Sequence, residues 1–230
     1  MVTSLNKVLV VSDYDRTLAH EKDGFFLDDR VKERVENFAK NNFFAVVSGR
    51  EKRLIDVFAR GFTPTAWVLE NGALIFVKGE EKVNAPECWF HEREKISSTL
   101  KEMNIPYSLG KVIIYINNRK LSHEEISSLN ELCDVEYNRG DAMLLPKGVN
   151  KASGILKLKE ILKFGGLTVG VGDGENDLKM MEVVDVKVAV KNAVPCIKEI
   201  ADVVLTHEDG EGIMELLDMI EKGELKSSEA

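Results

Sequence analysis

Short apolar runs, typical of strands buried on both faces, alternate along the chain with stretches whose apolar residues recur at helical spacing. The chain begins strand, helix, strand, helix, strand, with strands predicted at residues 8–12, 43–47 and 67–69. Asp28 is placed to cap the first helix, and Ser48-Gly49-Arg50 to open the second. This alternation predicts a parallel sheet with helices on its faces and right-handed crossovers.

The pattern changes after a turn that we predict at residues 78–81. The next block predicts a helix, a strand, a helix and two strands, at residues 91–103, 112–116, 122–132, 135–138 and 142–145. The last two strands flank Arg139-Gly140-Asp141, a sequence typical of a hairpin turn. We interpret the block as a small α+β insert with its own antiparallel sheet.

The first pattern resumes after the insert, with a helix that Asn150 is placed to cap. Three further strands are predicted at residues 167–171, 186–190 and 203–205. Pro195 suits the first turn of the helix between the last two strands.

The fold class is therefore α/β, with a Rossmann-like parallel sheet as the core and a smaller α+β cap domain. We predict the core at residues 1–80 and 148–230, and the cap at residues 81–147.

Composition narrows the possible functions. The 230 residues carry a formal net charge of −8, which argues against a nucleic-acid partner. No apolar run is long enough to span a membrane, and the N-terminus lacks a secretory leader pattern. The three cysteines, Cys88, Cys133 and Cys196, form no CxxC spacing, which favours free thiols in a reducing cytoplasm. We expect a monomer or a homodimer.

Polar side chains follow three of the predicted core strands. Asp13 and Asp15 follow the first, Ser48 follows the second, and Asp173 and Asp177 follow the strand at residues 167–171. Ligands of an open parallel sheet bind beyond the carboxyl ends of its strands, so we expect these groups to converge. Lys151, at the start of the helix that leads into the strand at residues 167–171, supplies a positive charge, with Lys147 as an alternative.

Clustered carboxylates are typical of a hard-cation site, for which Mg²⁺ is the expected ion. A carboxylate can also attack phosphorus, and the metal would neutralise charge between nucleophile and phosphate. Asp15 is placed to protonate the leaving oxygen and then to activate water. Ser48 and Lys151 would hold the phosphate oxygens. These residues predict phosphoryl transfer from a small phosphorylated metabolite.

Four motifs together resemble the haloacid dehalogenase superfamily of phosphatases. Asp13-Tyr14-Asp15-Arg16-Thr17 resembles its DxDxT motif, and residues 46–50, Val-Val-Ser-Gly-Arg, resemble its second motif. Lys151 resembles the lysine of the third motif, and Gly172-Asp173-Gly174-Glu175-Asn176-Asp177 resembles GDxxND. The insert lies where one class of these enzymes carries its α/β cap. Size and layout are most similar to archaeal phosphoglycolate phosphatases and sucrose-phosphatase-like hydrolases.

The resemblance implies a role for each matching residue. Asp13 is the nucleophile and Asp15 the acid/base. The implied metal ligands are Asp13, Asp15 through its backbone carbonyl, Asp173, and Asp177 directly or through water. The implied substrate-binding residues are Thr17, Ser48, Gly49, Lys151 and Asn176. Of these, Thr17 and Asn176 orient their neighbours.

The function that follows is a Mg²⁺-dependent phosphomonoesterase that works through an aspartyl-phosphate, with 2-phosphoglycolate as the first candidate substrate. The nearest alternative is a sugar phosphate. A phosphomutase-like transferase and a phospho-acceptor signalling domain use related groups, but the signalling domain needs neither Asp15 nor the insert. Arg50, Glu70 and Asn71 are left as either substrate contacts or turn residues.

Overall fold

The computed structural model describes residues 7–138 and 140–225. Two sheets organise them, one of eight strands and one of four. The predicted α/β fold, with a largely parallel core sheet and a separate antiparallel cap sheet, is confirmed. Arg139, in the predicted hairpin turn, lies outside the described residues.

Twelve strands are formed by the described residues. In chain order they are β1 (Val8–Asp13), β2 (Phe43–Val47), β3 (Ala66–Leu69), β4 (Leu74–Val77), β5 (Glu80–Val83), β6 (Ser108–Leu109), β7 (Ile114–Ile116), β8 (Asp134–Asn138), β9 (Asp141–Leu145), β10 (Leu167–Gly172), β11 (Val186–Ala189) and β12 (Val203–Val204). The core sheet has the order β12-β11-β10-β1-β2-β3-β4-β5, and the cap sheet the order β6-β7-β9-β8. The core strands from β12 to β3 are parallel, and β4 and β5 extend that sheet in antiparallel fashion.

Eight α-helices accompany these strands in the described part of the chain. They are α1 (Asp29–Ala39), α2 (Lys52–Phe58), α3 (Trp89–Glu102), α4 (His123–Leu129), α5 (Lys151–Leu162), α6 (Leu178–Met181), α7 (Pro195–Ile200) and α8 (Asp209–Glu221). The predicted caps are confirmed for α1, where Asp28 accepts the Arg30 amide, and for α5, where Asn150 accepts the Ser153 amide. None of the helices in the described ranges is long and apolar enough to cross a membrane.

The predicted start of α2 was wrong. The helix begins at Lys52, and Ser48-Gly49-Arg50 forms a loop before it. The carbonyl groups of Ser48 and Arg50 accept the amides of Asn71 and Glu70, and the first bonds of the helix are accepted by the carbonyl of Glu51. The turn after β3 therefore holds this loop in place.

The predicted turn at residues 78–81 is shorter than expected. Lys78 and Gly79 both have positive φ, +53° and +77°, as a two-residue hairpin turn requires. The residues that follow form β5, which pairs with β4 in the core sheet. The predicted boundary between residues 80 and 81 falls inside this strand, so we propose that the cap begins after it.

The strand order explains why polar groups meet at one edge. β1 lies between β2 and β10, and all three are parallel, so their carboxyl ends are neighbours. Their interiors are fully buried, as Val10, Val46 and Val169 illustrate. Because the strands are rigid and buried on both faces, the residues that follow them are held at fixed positions.

Candidate active site

The two acids at the end of β1 have different surroundings. Asp13 is the last residue of the strand and is 4% exposed. Asp15 is half-buried, and its two carboxylate oxygens accept hydrogen bonds from Nε of Arg50 at 2.9 and 2.8 Å. The guanidinium of Arg50 also lies over the rings of Phe25 and Phe58, 4.8 and 4.7 Å from their centroids. An arginine fixed by two rings thus orients the Asp15 carboxylate.

Lys151 reaches the site from the first residue of α5. This helix packs closely against the turn after β3, since a Cβ added to Gly154 would lie 2.5 Å from Cα of Gly72. Gly72 also has a φ of +94°, which side-chain-bearing residues rarely adopt. These two glycines let the start of α5 approach the strand ends, and they bring the Lys151 ammonium within 2.6 Å of Oδ1 of Asp13.

The alternative lysine lies elsewhere. Lys147 is exposed, and its ammonium lies 3.6 Å from a carboxylate oxygen of Asp134 in the cap. Lys151 is 1% exposed and is therefore the lysine that the structure brings to Asp13.

Asp177 lies behind the loop that follows β10. Its Oδ2 accepts the backbone amides of Asp173 and Gly174 at 3.0 and 3.1 Å. Its Oδ1 lies 2.7 Å from the ammonium of Lys151. The space for this carboxylate exists because residue 172 is glycine, where a Cβ would lie 2.6 Å from Oδ2. Asp177 therefore holds both the loop and the lysine.

Burial and charge together shift the pKa values of these groups. Burial, reinforced by Asp177, raises the pKa of Asp13 well above its usual range, although Lys151 opposes the shift. Burial and Asp177 also raise the pKa of Asp173 to about 6, against the opposing charge of Arg16. Burial alone lowers the pKa of Lys151, but the charges of Asp13 and Asp177 outweigh it and raise that pKa. Lys151 therefore remains a cation.

The acidic cluster can bind a metal ion. Asp13, Asp173 and Asp177 each offer a carboxylate oxygen, and these oxygens lie within 4.8 Å of one another. When all are ionised, the three carboxylates carry one negative charge more than the two cations beside them, Lys151 and Arg16, neutralise, and the carboxylates are buried. Oxygen ligands and this excess charge fit a divalent cation such as Mg²⁺. The Asp15 carboxylate, which is directed at Arg50, is outside the cluster.

A cavity of about 500 Å³ opens over the acids. Five of the predicted site residues line it: Asp13, Asp15, Gly49, Asp173 and Asn176. The other four are buried and support this surface: Thr17, Ser48, Lys151 and Asp177. Thr17 Oγ1 donates to Asp173 at 3.4 Å, and the Ser48 hydroxyl accepts the amide of Arg50 at 3.1 Å.

The cap covers the cavity and is joined to the core by polar contacts. Tyr115 and Asn138 line the cavity from the cap sheet, and the Tyr115 hydroxyl donates to the carbonyl of Gly49 at 2.8 Å. Glu70 is 1% exposed, and its carboxylate accepts the amides of cap residues Lys111, Val112 and Ile113 at 2.8, 2.8 and 2.9 Å. The core thus holds the cap above the acids.

Sequence reasoning overlooked Tyr115 and left Arg50 and Glu70 without a role. Each acts through a partner distant in sequence, so no local motif marks Tyr115 or Glu70. For Arg50 a signal existed, since the loop after β2, which carries this arginine, lies beside the acids at the end of β1.

Comparison with known proteins agrees with this geometry. A family model described as haloacid dehalogenase-like hydrolase matches residues 124–217. The chain is 45% identical to phosphoglycolate phosphatase 2 of Saccharolobus solfataricus, over 95% of this chain and 94% of that protein. It is 43% identical to phosphoglycolate phosphatase of Sulfurisphaera tokodaii, over 92% and 93%.

A solved structure shares the fold. The crystal structure of a Thermoplasma acidophilum protein superposes with a TM-score of 0.72 over 94% of this chain and 98% of that chain. The two sequences are 19% identical, so the likeness concerns the fold alone.

Proposed function

Because the chain belongs to the haloacid dehalogenase-like hydrolases, we propose that it is a phosphomonoesterase that acts on 2-phosphoglycolate. The substrate is proposed from two relatives named phosphoglycolate phosphatase, which are similar along more than nine-tenths of both chains. The contact between Lys151 and Asp13 carries the proposed chemistry, because it places a buried cation on the proposed nucleophile.

Asp13 is the proposed nucleophile. Lys151 binds its Oδ1, and Oδ2 is then the oxygen that attacks phosphorus to form an aspartyl-phosphate. The lysine also lies close enough to Asp13 to neutralise charge that develops on the transferred phosphoryl group. Ser48 and Gly49, whose loop is held by the turn after β3, would bind the remaining phosphate oxygens.

Asp15 is the proposed acid/base. It lines the same cavity wall as Asp13, and Arg50 holds its carboxylate in a constant orientation. It would give a proton to the departing glycolate oxygen and then take one from the water that hydrolyses the aspartyl-phosphate. The hydrogen bonds from Arg50 keep the Asp15 carboxylate in the same place for both steps.

Mg²⁺ is the proposed ion for the acidic cluster. Asp13, Asp173 and the backbone carbonyl of Asp15 would hold it, with Asp177 as a ligand directly or through water. A bound Mg²⁺ supplies a Lewis acid that neutralises negative charge between the carboxylates and the phosphate. Thr17 and Asn176 would orient the neighbouring ligands.

A sugar phosphate is the second candidate substrate, and the cavity favours it. A volume of about 500 Å³ exceeds what a two-carbon acid needs, and the cap contributes neutral polar groups from Asn117, Tyr137 and Asn138. These groups can form hydrogen bonds with the hydroxyl groups of a sugar.

We propose a cytoplasmic location because all three cysteines are free thiols. We also propose that the protein is a monomer or a homodimer.

The test is a screen of phosphorylated metabolites with Mg²⁺, in which released inorganic phosphate is measured. We expect 2-phosphoglycolate to have the highest kcat/KM, and Asp13→Asn to release no phosphate from any substrate. A higher kcat/KM for a sugar phosphate would favour the second candidate. Phosphate release by Asp13→Asn at the wild-type rate would contradict the nucleophile.

A further inference from the structure

A polar cluster outside the acids supports the loop that follows β1. We name it the Asn192 clamp, and it consists of Asn192, Asp209 and the backbone of Arg16. Asn192 lies in the loop after β11, and Asp209 is the first residue of α8. Neither belongs to the four motifs, yet both lie at the strand edge that carries the site.

The side-chain amide of Asn192 makes three hydrogen bonds. Its Nδ2 donates to the carbonyl of Arg16 at 2.8 Å and to Oδ1 of Asp209 at 2.9 Å. Its Oδ1 accepts the backbone amide of Asp209 at 3.1 Å. Both donor hydrogens and the acceptor are thus used, which leaves the amide a single orientation. The second carboxylate oxygen of Asp209, which is 5% exposed, contacts Nδ1 of His20.

The clamp acts on a strained residue. Arg16 has a φ of +60°, a left-handed conformation that is unfavourable for a residue with a Cβ. Its amide donates to the carbonyl of Ala19 at 2.8 Å, and its carbonyl is held by Asn192. Such a conformation persists only where the surroundings enforce it.

The backbone conformation of Arg16 affects the direction of the Asp15 carbonyl. The φ angle of Arg16, together with the ψ angle of Asp15, orients the planar peptide that joins the two residues, and hence the Asp15 carbonyl. The Arg16 side chain is also directed by the clamp, because its Nη2 donates to the carbonyl of Asn192 at 3.3 Å. Its Nε lies 3.4 Å from Oδ2 of Asp173.

We propose that Asn192 is a positioning residue of the active site, which holds Arg16 left-handed and thereby aims the Asp15 carbonyl and the Arg16 guanidinium at the acidic cluster. The proposal rests on the proposed function in one respect, namely that the acidic cluster is the metal site. Residues that orient metal ligands change metal affinity or activity about 10–100-fold when they are replaced.

The experiment compares Asn192→Ala with Asn42→Ala. Asn42 accepts the Val8 amide at 3.0 Å and is also half-buried, but it lies at the opposite end of the sheet. Mg²⁺ binding is measured by titration calorimetry, and turnover with p-nitrophenyl phosphate. We expect Asn192→Ala to weaken Mg²⁺ binding about tenfold and to lower kcat about tenfold, with KM unchanged. We expect Asn42→Ala to change neither Mg²⁺ binding nor kcat. Wild-type Mg²⁺ affinity in a folded Asn192→Ala would overturn the proposal.

The variant Arg16→Gly tests whether Asn192 affects Mg²⁺ binding through the backbone conformation of residue 16. Glycine adopts positive φ without strain, so the clamp matters less when residue 16 is glycine. We expect Asn192→Ala to weaken Mg²⁺ binding less than about threefold in the Arg16→Gly background. An equal or larger loss there would show that Asn192 acts elsewhere. Calorimetry needs no substrate, so failure to hydrolyse 2-phosphoglycolate would reject the proposed function and leave this test intact.

Discussion

The ammonium of Lys151 lies 2.6 Å from Oδ1 of Asp13, and both groups are almost completely buried. The lysine is a structural counter-charge as well as a candidate phosphate ligand, because it also lies 2.7 Å from Asp177. Removing one partner of such a buried ion pair leaves the other uncompensated.

Replacement of this lysine should affect stability and activity together. Lys151→Met leaves the surrounding carboxylates without their cation, so we expect a loss of about 3–5 kcal/mol in the free energy of unfolding. Denaturant titration measures this loss, and released phosphate measures the accompanying loss of turnover. Lys147→Met, at the exposed alternative position, should stay within about 0.5 kcal/mol of wild type and keep its activity. Equal behaviour of the two variants would contradict the role of Lys151.

Replacement of Asp15 should separate the two chemical steps. Asp15→Asn lacks the group that protonates the leaving oxygen and activates water, so we expect kcat to fall about 10²–10⁴-fold. With p-nitrophenyl phosphate, whose leaving group needs no proton, phosphorylation should persist and a covalent phosphoenzyme should accumulate, detectable by intact mass spectrometry. Asp56→Asn, an exposed carboxylate on α2, serves as the control. An unchanged kcat for Asp15→Asn would exclude it as the acid/base.

Metal binding should depend on pH. The pKa of Asp173 is raised to about 6, above its usual 3.8, so the folded protein holds this proton more tightly than the unfolded chain. The stability of the metal-free protein therefore falls as pH rises from about 4 to about 6. Mg²⁺ relieves the repulsion of the ionised acids, so it should raise Tm more at about pH 7.5 than at about pH 5.

Thermal unfolding with and without Mg²⁺ at the two pH values checks this prediction, and chelation should reverse both the Tm increase and the activity. Asp173→Asn should lose most of the Mg²⁺-dependent increase. An equal increase at both pH values in the wild type would contradict the assignment of Asp173.

The attachment of the cap should depend on Glu70. Glu70→Gln keeps one acceptor oxygen, which can serve the amides of Val112 and Ile113, but it then turns an amide donor toward the backbone amide of Lys111, so we expect a loss of about 2 kcal/mol. KM should rise, and hydrogen exchange at residues 111–113 should accelerate. Glu81→Gln removes a carboxylate that pairs with Lys111 at the surface, and it should cost less than about 1 kcal/mol. Unchanged exchange in Glu70→Gln would argue that other contacts hold the cap.

Local sequence determined the elements of the core and the residues at their ends. The apolar run of β1 stops at Asp13, and such buried strands form parallel sheets whose carboxyl ends converge. The sequence alone therefore predicted that Asp13, Asp15 and Asp173 lie at one edge of the sheet. Side-chain caps such as Asp28 and Asn150 were also predictable, because a cap bonds within its own helix turn.

Only the tertiary structure decided which distant groups these residues meet. Lys151 was distinguished from Lys147 by the close approach of Gly154 to Gly72. The contact of Arg50 with Asp15, and that of Asn192 with Arg16, join segments from separate loops. Local periodicity carries no information on such pairs, because it records which face of an element is buried and not what packs against it.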